Sequence, residues 1–163
     1  MISDLSKIKK IRSKKEFTIS LAESCTGGMI SKYLTSTSGS SLFFNGACIS
    51  YSNKMKTNLL CVPKNTIINY GAVSHQTALA MVKGLEKITD SEILLSITGV
   101  AGPSGGSKRT PVGCVFFGIG SKVNKKYKFQ TLKKIFREKT RLAIQKKSTE
   151  HAVRLILKEL KKI

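Results

Sequence analysis

Phe17-Thr18-Ile19-Ser20-Leu21-Ala22 followed by Glu23-Ser24-Cys25-Thr26-Gly27-Gly28 is the stretch that decides the fold. The first six residues are apolar or small and rich in strand formers, a short buried strand. The next six end in two glycines, and Met29, Ile30, Tyr33 and Leu34 then follow helical spacing. A strand that turns through glycine into a helix is the opening unit of an α/β domain.

Working outward, Ser36 to Ser41 reads as a polar loop. Leu42 to Tyr51 reads as a second strand, and Lys54 to Cys61 as a short helix closed before Pro63. Ser74 is a good helix N-cap, and Ala78, Met81, Val82, Leu85 and Ile88 follow it at helical spacing. Glu92 to Thr98 is a strongly apolar strand. It runs into a second glycine-rich loop, Gly99 to Ser107, and Val112 to Gly120 is a further strand. Tyr127 to Leu132 alternates loosely, as an edge strand does. Val153, Ile156, Leu157 and Leu160 give the last helix its apolar stripe. Strands and helices alternate, so the expected fold class is α/β: a three-layer α/β/α sandwich, one domain spanning 1–163, with helices on both faces of one sheet. A basic segment, 1–15, precedes it and is expected to be helical. Both glycine-rich loops follow strands, so they could converge on one sheet edge, where such folds collect ligands.

Composition narrows the function. The chain has 163 residues with 40% hydrophobic residues, enough for one packed core. No apolar run approaches a membrane span, and the Lys-rich start does not resemble a secretory signal, so a cytoplasmic protein is expected. Cys25, Cys48, Cys61 and Cys114 form no C-x-x-C pair and read as buried, reduced thiols. With only His75 and His151 available, no metal is expected. The net charge of +20 sits on the two ends: residues 121–163 hold fifteen basic residues against three acids, and the central hundred hold eight against four. Of the basic residues 24 are Lys and five are Arg, which suits solvent-facing helices better than bidentate recognition of bases. Nucleic acid is therefore not the expected partner.

Three segments could carry chemistry. At Glu23 to Gly28 a strand-to-helix turn can lift the Ser24 hydroxyl into a cleft beside free backbone N–H groups; equally, Ser24 or Thr26 could simply cap the helix. At Tyr51-Ser52-Asn53-Lys54-Met55-Lys56 a lysine could be a surface residue. It could also serve as base for a serine nucleophile, provided its pKa falls from roughly 10.4 to about 7–8. The scarcity of histidine favours this Ser–Lys solution, and His75 reads as a first-turn helix residue. The Gly99 to Ser107 loop lacks G-K-[ST] and is either an ordinary connection or a backbone nest for a phosphate.

Taken together these segments resemble the CinA C-terminal domain family, also called the PncC family of nicotinamide-nucleotide amidases. The resemblance spans about residues 16–121. It is carried by Ala22 to Gly28, Gly39-Ser40-Ser41, Tyr51-Ser52-Asn53 with Lys56, Gly71-Ala72-Val73-Ser74, Thr98 to Pro103 with Gly105-Gly106-Ser107, and Pro111-Val112-Gly113. It implies hydrolysis of nicotinamide mononucleotide to nicotinate mononucleotide and ammonia, in a cytoplasmic bacterial enzyme without metal or organic cofactor. It implies Ser24 as nucleophile, Lys56 as base and Tyr51 as an orienting residue, with Cys25 the rival nucleophile. Thr26, Gly27 and Gly28 would hold the oxyanion and substrate, and Asn53, Thr98, Gly99, Gly102, Gly105 and Gly106 would line the substrate site. Relatives commonly pair, so a homodimer is expected. Many also carry a further N-terminal domain, for which 163 residues leave no room.

The resemblance weakens near the end. The family shows F-x-G-D-R before its final helix, whereas this chain reads Phe136-Arg137-Glu138-Lys139-Thr140-Arg141. Arg141 fits the family arginine only with one extra residue, and Arg137 competes for the place. That departure leaves open a domain that binds a nucleotide without catalysis. A basic protein associated with nucleic acid is the remaining alternative.

Overall fold

Hydrophobic alternation along the central strands builds the molecule. The computed structural model describes residues 2–163, with side chains from Asp4 onward, and Met1 lies outside the described residues. In chain order the elements are α1 (Ile2–Arg12), β1 (Ile19–Glu23), α2 (Met29–Thr35), a 3₁₀ turn (Ser40–Leu42), β2 (Phe44–Ile49), α3 (Asn53–Leu60), α4 (Lys64–Tyr70), α5 (His75–Glu86), β3 (Ile93–Gly99), β4 (Cys114–Val123), β5 (Lys126–Ile135) and α6 (Arg141–Leu160). The strands form one sheet in the order β2-β1-β3-β4-β5. β1 runs parallel to β2 and to β3, and β4 and β5 return antiparallel.

Successive strand side chains point to opposite faces. Ile19 and Leu21 of β1, Ile93, Leu95 and Ile97 of β3, and Val115, Phe117 and Ile119 of β4 therefore share one face. They pack there against Leu5 and Ile8 of α1, Ile30 and Leu34 of α2, and Ile144, Val153, Ile156 and Leu160 of α6. Ala22 and Leu94 point the other way, onto Leu60 of α3 and Met81, Val82 and Leu85 of α5. Burying each large aliphatic side chain contributes about 1.5–3 kcal/mol, so the two faces together make the sandwich the stable arrangement. α5 lies close on the sheet: a Cβ at Gly118 would stand 2.5 Å from the Ala78 carbonyl oxygen, and Ser96 Oγ donates to that oxygen at 2.6 Å.

The three-layer α/β/α fold expected from the sequence is the fold observed. Several boundaries differ. The second strand begins at Phe44, after the 3₁₀ turn, and ends at Ile49. α4 was not legible: its apolar residues are Ile67 and Ile68 alone, and none of its residues is fully buried, so it shows no periodic face. β5 is longer than its alternation suggested, because Asn124 and Lys125, both with positive φ, make a tight turn that pairs all ten of its residues with β4. Ile88 falls beyond α5 and is exposed. Among the cysteines, Cys25 and Cys114 are buried as expected, while Cys48 is half-buried and Cys61 exposed. Cys61 ends α3 in a left-handed conformation, where its side chain leaves the apolar face. No helix among the described residues is long and apolar enough to cross a membrane.

Since β1, β2 and β3 are parallel, their C-terminal ends share one edge of the sheet. Ser24, Tyr51 and the Gly99 to Ser107 loop all leave the sheet there.

Candidate active site

Ser24 follows β1 directly, and its N–H continues the ladder to the Ile97 carbonyl at 3.1 Å. The turn beyond it is organised by Glu23, whose buried carboxylate collects five donors. Oε2 accepts from Thr26 Oγ1 (2.6 Å), Gly28 N (3.0 Å) and Ile30 N (3.2 Å), and Oε1 from Ser31 N (2.8 Å) and Ser31 Oγ (2.6 Å). Glu23 thus supplies the side-chain cap that Gly28, at the N-cap position of α2, does not provide. Gly27 and Gly28 have φ of +59° and +96°, a conformation that side-chain-bearing residues adopt only with strain.

This changes the expected roles of three residues. Thr26, Gly27 and Gly28 do not line the cleft described below. The Gly27 N–H is held by the Ser24 carbonyl at 3.1 Å and the Gly28 N–H by Glu23, so neither is free for an oxyanion. Of the turn residues after Ser24, Cys25 alone lines the cleft. Glu23 carried one signal in sequence, an acid closing an apolar strand just ahead of a run of donors.

Lys56 comes from α3. Ser52 caps that helix by accepting from Met55 N at 3.1 Å, which places Lys56 one turn in, facing β1. Its Nζ is 2.9 Å from Ser24 Oγ, 2.9 Å from the Ser50 carbonyl oxygen and 3.3 Å from that of Tyr51. The residue is 1% exposed and Ser24 is 6% exposed. Burial lowers the Lys56 pKa, opposed only by negative charge on Cys25. That opposition is idle at neutral pH, because burial pushes the Cys25 thiol up to about 12. A neutral amine has two N–H donors and one lone pair. The two carbonyls can take the donors, which leaves the lone pair for the Ser24 hydroxyl. Cys25 is correspondingly a poor rival: a thiol that stays protonated is a weak nucleophile.

The pair sits at the floor of a cleft of about 270 Å³. Tyr51, Asn53, Thr98, Gly99, Gly102, Gly105 and Arg141 line it, together with Cys25, Ala72, Val73 and Ser104. Gly106 does not: a Cβ there would meet the Val112 backbone nitrogen at 2.9 Å, so this glycine serves packing inside the loop. Thr98 Oγ1 donates to the Ala72 carbonyl at 2.8 Å, tying the Gly71 to Ser74 segment to the cleft wall. Arg141, and not Arg137, reaches the site. Its guanidinium donates to the Gly102 carbonyl at 2.8 Å and to the Tyr51 hydroxyl at 2.6 Å. Thr140, directly before it, caps α6 by accepting from Ala143 N at 3.2 Å. No carboxylate lines the cleft, whose charged groups are Lys56 and Arg141. Among the described residues no group of three or more His, Cys, Asp or Glu side chains comes together. The arrangement suits attack by a hydroxyl on a substrate that carries an anion. One further contact had no sequence signal: Gln145 of α6 donates to the Cys25 carbonyl at 2.9 Å.

Comparison with known proteins identifies the family and the fold. A family model described as the CinA C-terminal domain matches residues 4–160. A CinA-like protein of Pseudothermotoga lettingae is 39% identical over 149 residues, covering 91% of this chain and 36% of that protein. A CinA-like protein of Leptospira biflexa is 52% identical over 105 residues, 64% of this chain and 25% of that protein. The chain therefore spans about a quarter to a third of the length of these curated relatives. The crystal structure of the competence/damage inducible protein CihA from Agrobacterium tumefaciens superposes with a TM-score of 0.89 at 30% identity, covering 95% of this chain and 92% of that one. A CinA superfamily protein of Klebsiella pneumoniae has the same fold, with a TM-score of 0.89 at 24% identity over 99% of this chain and 98% of that one.

Proposed function

The chain belongs to the CinA C-terminal domain family, and from that premise we propose that it hydrolyses the carboxamide of nicotinamide mononucleotide, giving nicotinate mononucleotide and ammonia. The observation that carries this reading is the buried Lys56 amine, 2.9 Å from the Ser24 hydroxyl and without a carboxylate beside it in the cleft.

The steps follow from the geometry. Neutral Lys56 takes the Ser24 proton as Oγ attacks the carboxamide carbon. The carbonyl oxygen becomes an oxyanion, for which the Cys25 amide, at the cleft wall beside Ser24, is the nearest backbone donor of the turn. The Lys56 ammonium returns its proton to the leaving nitrogen, the C–N bond breaks, and ammonia departs. Lys56 then deprotonates a water, which attacks the acyl ester and releases the carboxylic acid and Ser24. The pyridinium charge of the substrate, held near Lys56, further disfavours an ammonium there before the reaction. Arg141 and the backbone of the Gly99 to Gly105 loop receive the ribose phosphate; a guanidinium at the cleft mouth is the natural partner for a dianion.

The direct test is ammonia release from nicotinamide mononucleotide. Replacing Ser24 with Ala should leave the fold intact by circular dichroism and lower kcat by about 10⁴-fold or more. Ammonia release from that variant at the wild-type rate would remove Ser24 from the mechanism.

A further inference from the structure

The two basic ends of the chain meet in the fold. α1 packs beside α6, and Lys15, just beyond α1, donates to the carbonyl of Ile163, just beyond α6. A groove of about 640 Å³ runs between the two helices. Lys7 and Lys10 of α1 stand on one side of it, and Arg154, Lys158 and Lys161 of α6 on the other, all exposed. Lys7 has one acid beside it, Asp4 at 3.3 Å; among the described residues the other four cations form no ion pair. The acids of α6 are engaged elsewhere, Glu150 by Lys147 at 3.0 Å and Glu159 by Lys162 at 2.6 Å. Like charges crowded without counter-ions repel, so the groove favours an anionic occupant. Its floor is apolar: Ile11 and Leu157 lie there, and lysine stems add methylene surface at the edges.

That combination selects among occupants. No aromatic side chain lines the groove for a base to stack on, and a phosphate backbone gains nothing from an aliphatic floor. A second copy of this chain has no acidic face to offer. It holds nine acids against 29 basic residues, and in their closest group, Glu86, Asp90 and Glu92, Asp90 already holds Lys122 at 2.6 Å. An amphipathic helix whose acids flank a line of aliphatic residues fits both floor and rim. From Arg154 to Lys161 the groove runs about 10 Å along α6, the length of two such helical turns. We propose that the α1–α6 groove docks an acidic amphipathic helix of a partner protein, with its aliphatic side chains on Ile11 and Leu157 and its carboxylates on the five rim cations. Arg154 lies about 20 Å along α6 from Arg141, so a docked helix leaves the cleft open.

The probe is a synthetic peptide of about 18 residues, long enough to form a helix, with Leu at helical spacing flanked by Glu. Calorimetry at about 0.1 M salt, where charges more than about 10 Å apart are largely screened, should show it binding. Lys10→Glu combined with Lys158→Glu should weaken that binding about tenfold or more, and the same variant should prefer a peptide with Lys in place of Glu. Lys64→Glu combined with Lys87→Glu, at exposed lysines outside the groove, changes the net charge equally and should alter affinity less than about twofold. Exchanging the peptide's Leu residues for Ser should cost about tenfold or more, because the floor is then left uncovered. Equal weakening by the two double variants would reduce the groove to surplus surface charge and overturn the proposal. So would failure of the peptide to bind, a Ser-exchanged peptide that binds as well as its parent, or a DNA duplex of about 20 base pairs that displaces the peptide and binds more tightly. None of these readouts uses Ser24, so the docking groove and the amidase reading stand or fall separately.

Discussion

Lys56 concentrates the residue-scale argument. Ordinary lysines are protonated at neutral pH, and burial lowers the pKa of this one. Two consequences can be measured. Activity, as kcat/KM, should rise with pH along a single ionisation lying below the usual lysine value of 10.5, and Lys56→Met should abolish turnover with nucleotide affinity retained in calorimetry. Stability should follow the same group. With the folded pKa lowered, the unfolded chain holds a proton that the folded chain lacks, between that lowered pKa and 10.5. Wild type should therefore gain stability relative to Lys56→Met as pH rises from about 7 to about 10, in paired urea titrations. A constant difference between the two would mean that Lys56 is protonated in the fold as well. Cys25, with its thiol pushed up to about 12, should react slowly with iodoacetamide at neutral pH, and Cys25→Ala should keep most of the activity. The types and order of Ser24, Tyr51 and Lys56 were legible in sequence. The lowering of the Lys56 pKa was not, because it comes from burial that only the fold supplies.

At the scale of elements, two devices hold the site, and each has its own test. The first is the β1–α2 turn. Gly28 has φ of +96°, and a Cβ there would have only ordinary contact with Ile49 Cδ1 at 3.6 Å. Gly28→Ala should therefore cost stability through backbone strain alone, about 1–2 kcal/mol by chemical denaturation. The second is the start of α6. The family arginine follows an Asp, while here Thr140 stands before Arg141 and caps the helix through Ala143 N. The altered loop thus keeps a capping residue in that place. Thr140→Ala should cost about 1 kcal/mol and raise KM more than it lowers kcat, while Thr140→Asp should preserve both. Periodicity found α5 and α6 because each buries a broad stripe, and missed α4 because it buries none. The resemblance implied that the glycines of the turn hold the oxyanion and substrate. Their amides proved to be occupied by Ser24 and Glu23, a satisfaction of donors that no spacing reveals.

At the scale of the whole molecule, charge and topology act together. A net charge of +20 surrounds a cleft whose own charged groups are both basic, so the field draws anions inward. For a phosphorylated substrate, kcat/KM should fall several-fold between about 0.01 M and about 0.5 M salt, while kcat changes little. A kcat/KM indifferent to salt would assign the surplus lysines to the outer helices alone. Topology decides where the chemistry meets. Ser24 and Lys56 are 32 residues apart and Arg141 lies far beyond both, yet parallel pairing of β1 with β2 and β3 brings the ends of all three strands to one edge. The sequence by itself determined the layers, the Ser74 helix cap and the residue types at the site, because alternation, helical spacing and turn glycines are local and are written in neighbouring residues. Only the tertiary structure decided that Arg141 rather than Arg137 faces the cleft, that Glu23 and Gln145 grip the turn after Ser24, and that Thr26 to Gly28 build the turn instead of lining the cleft. Those choices depend on which donors are already satisfied and which groups lose water, and both are properties of packed neighbours that lie far apart along the chain.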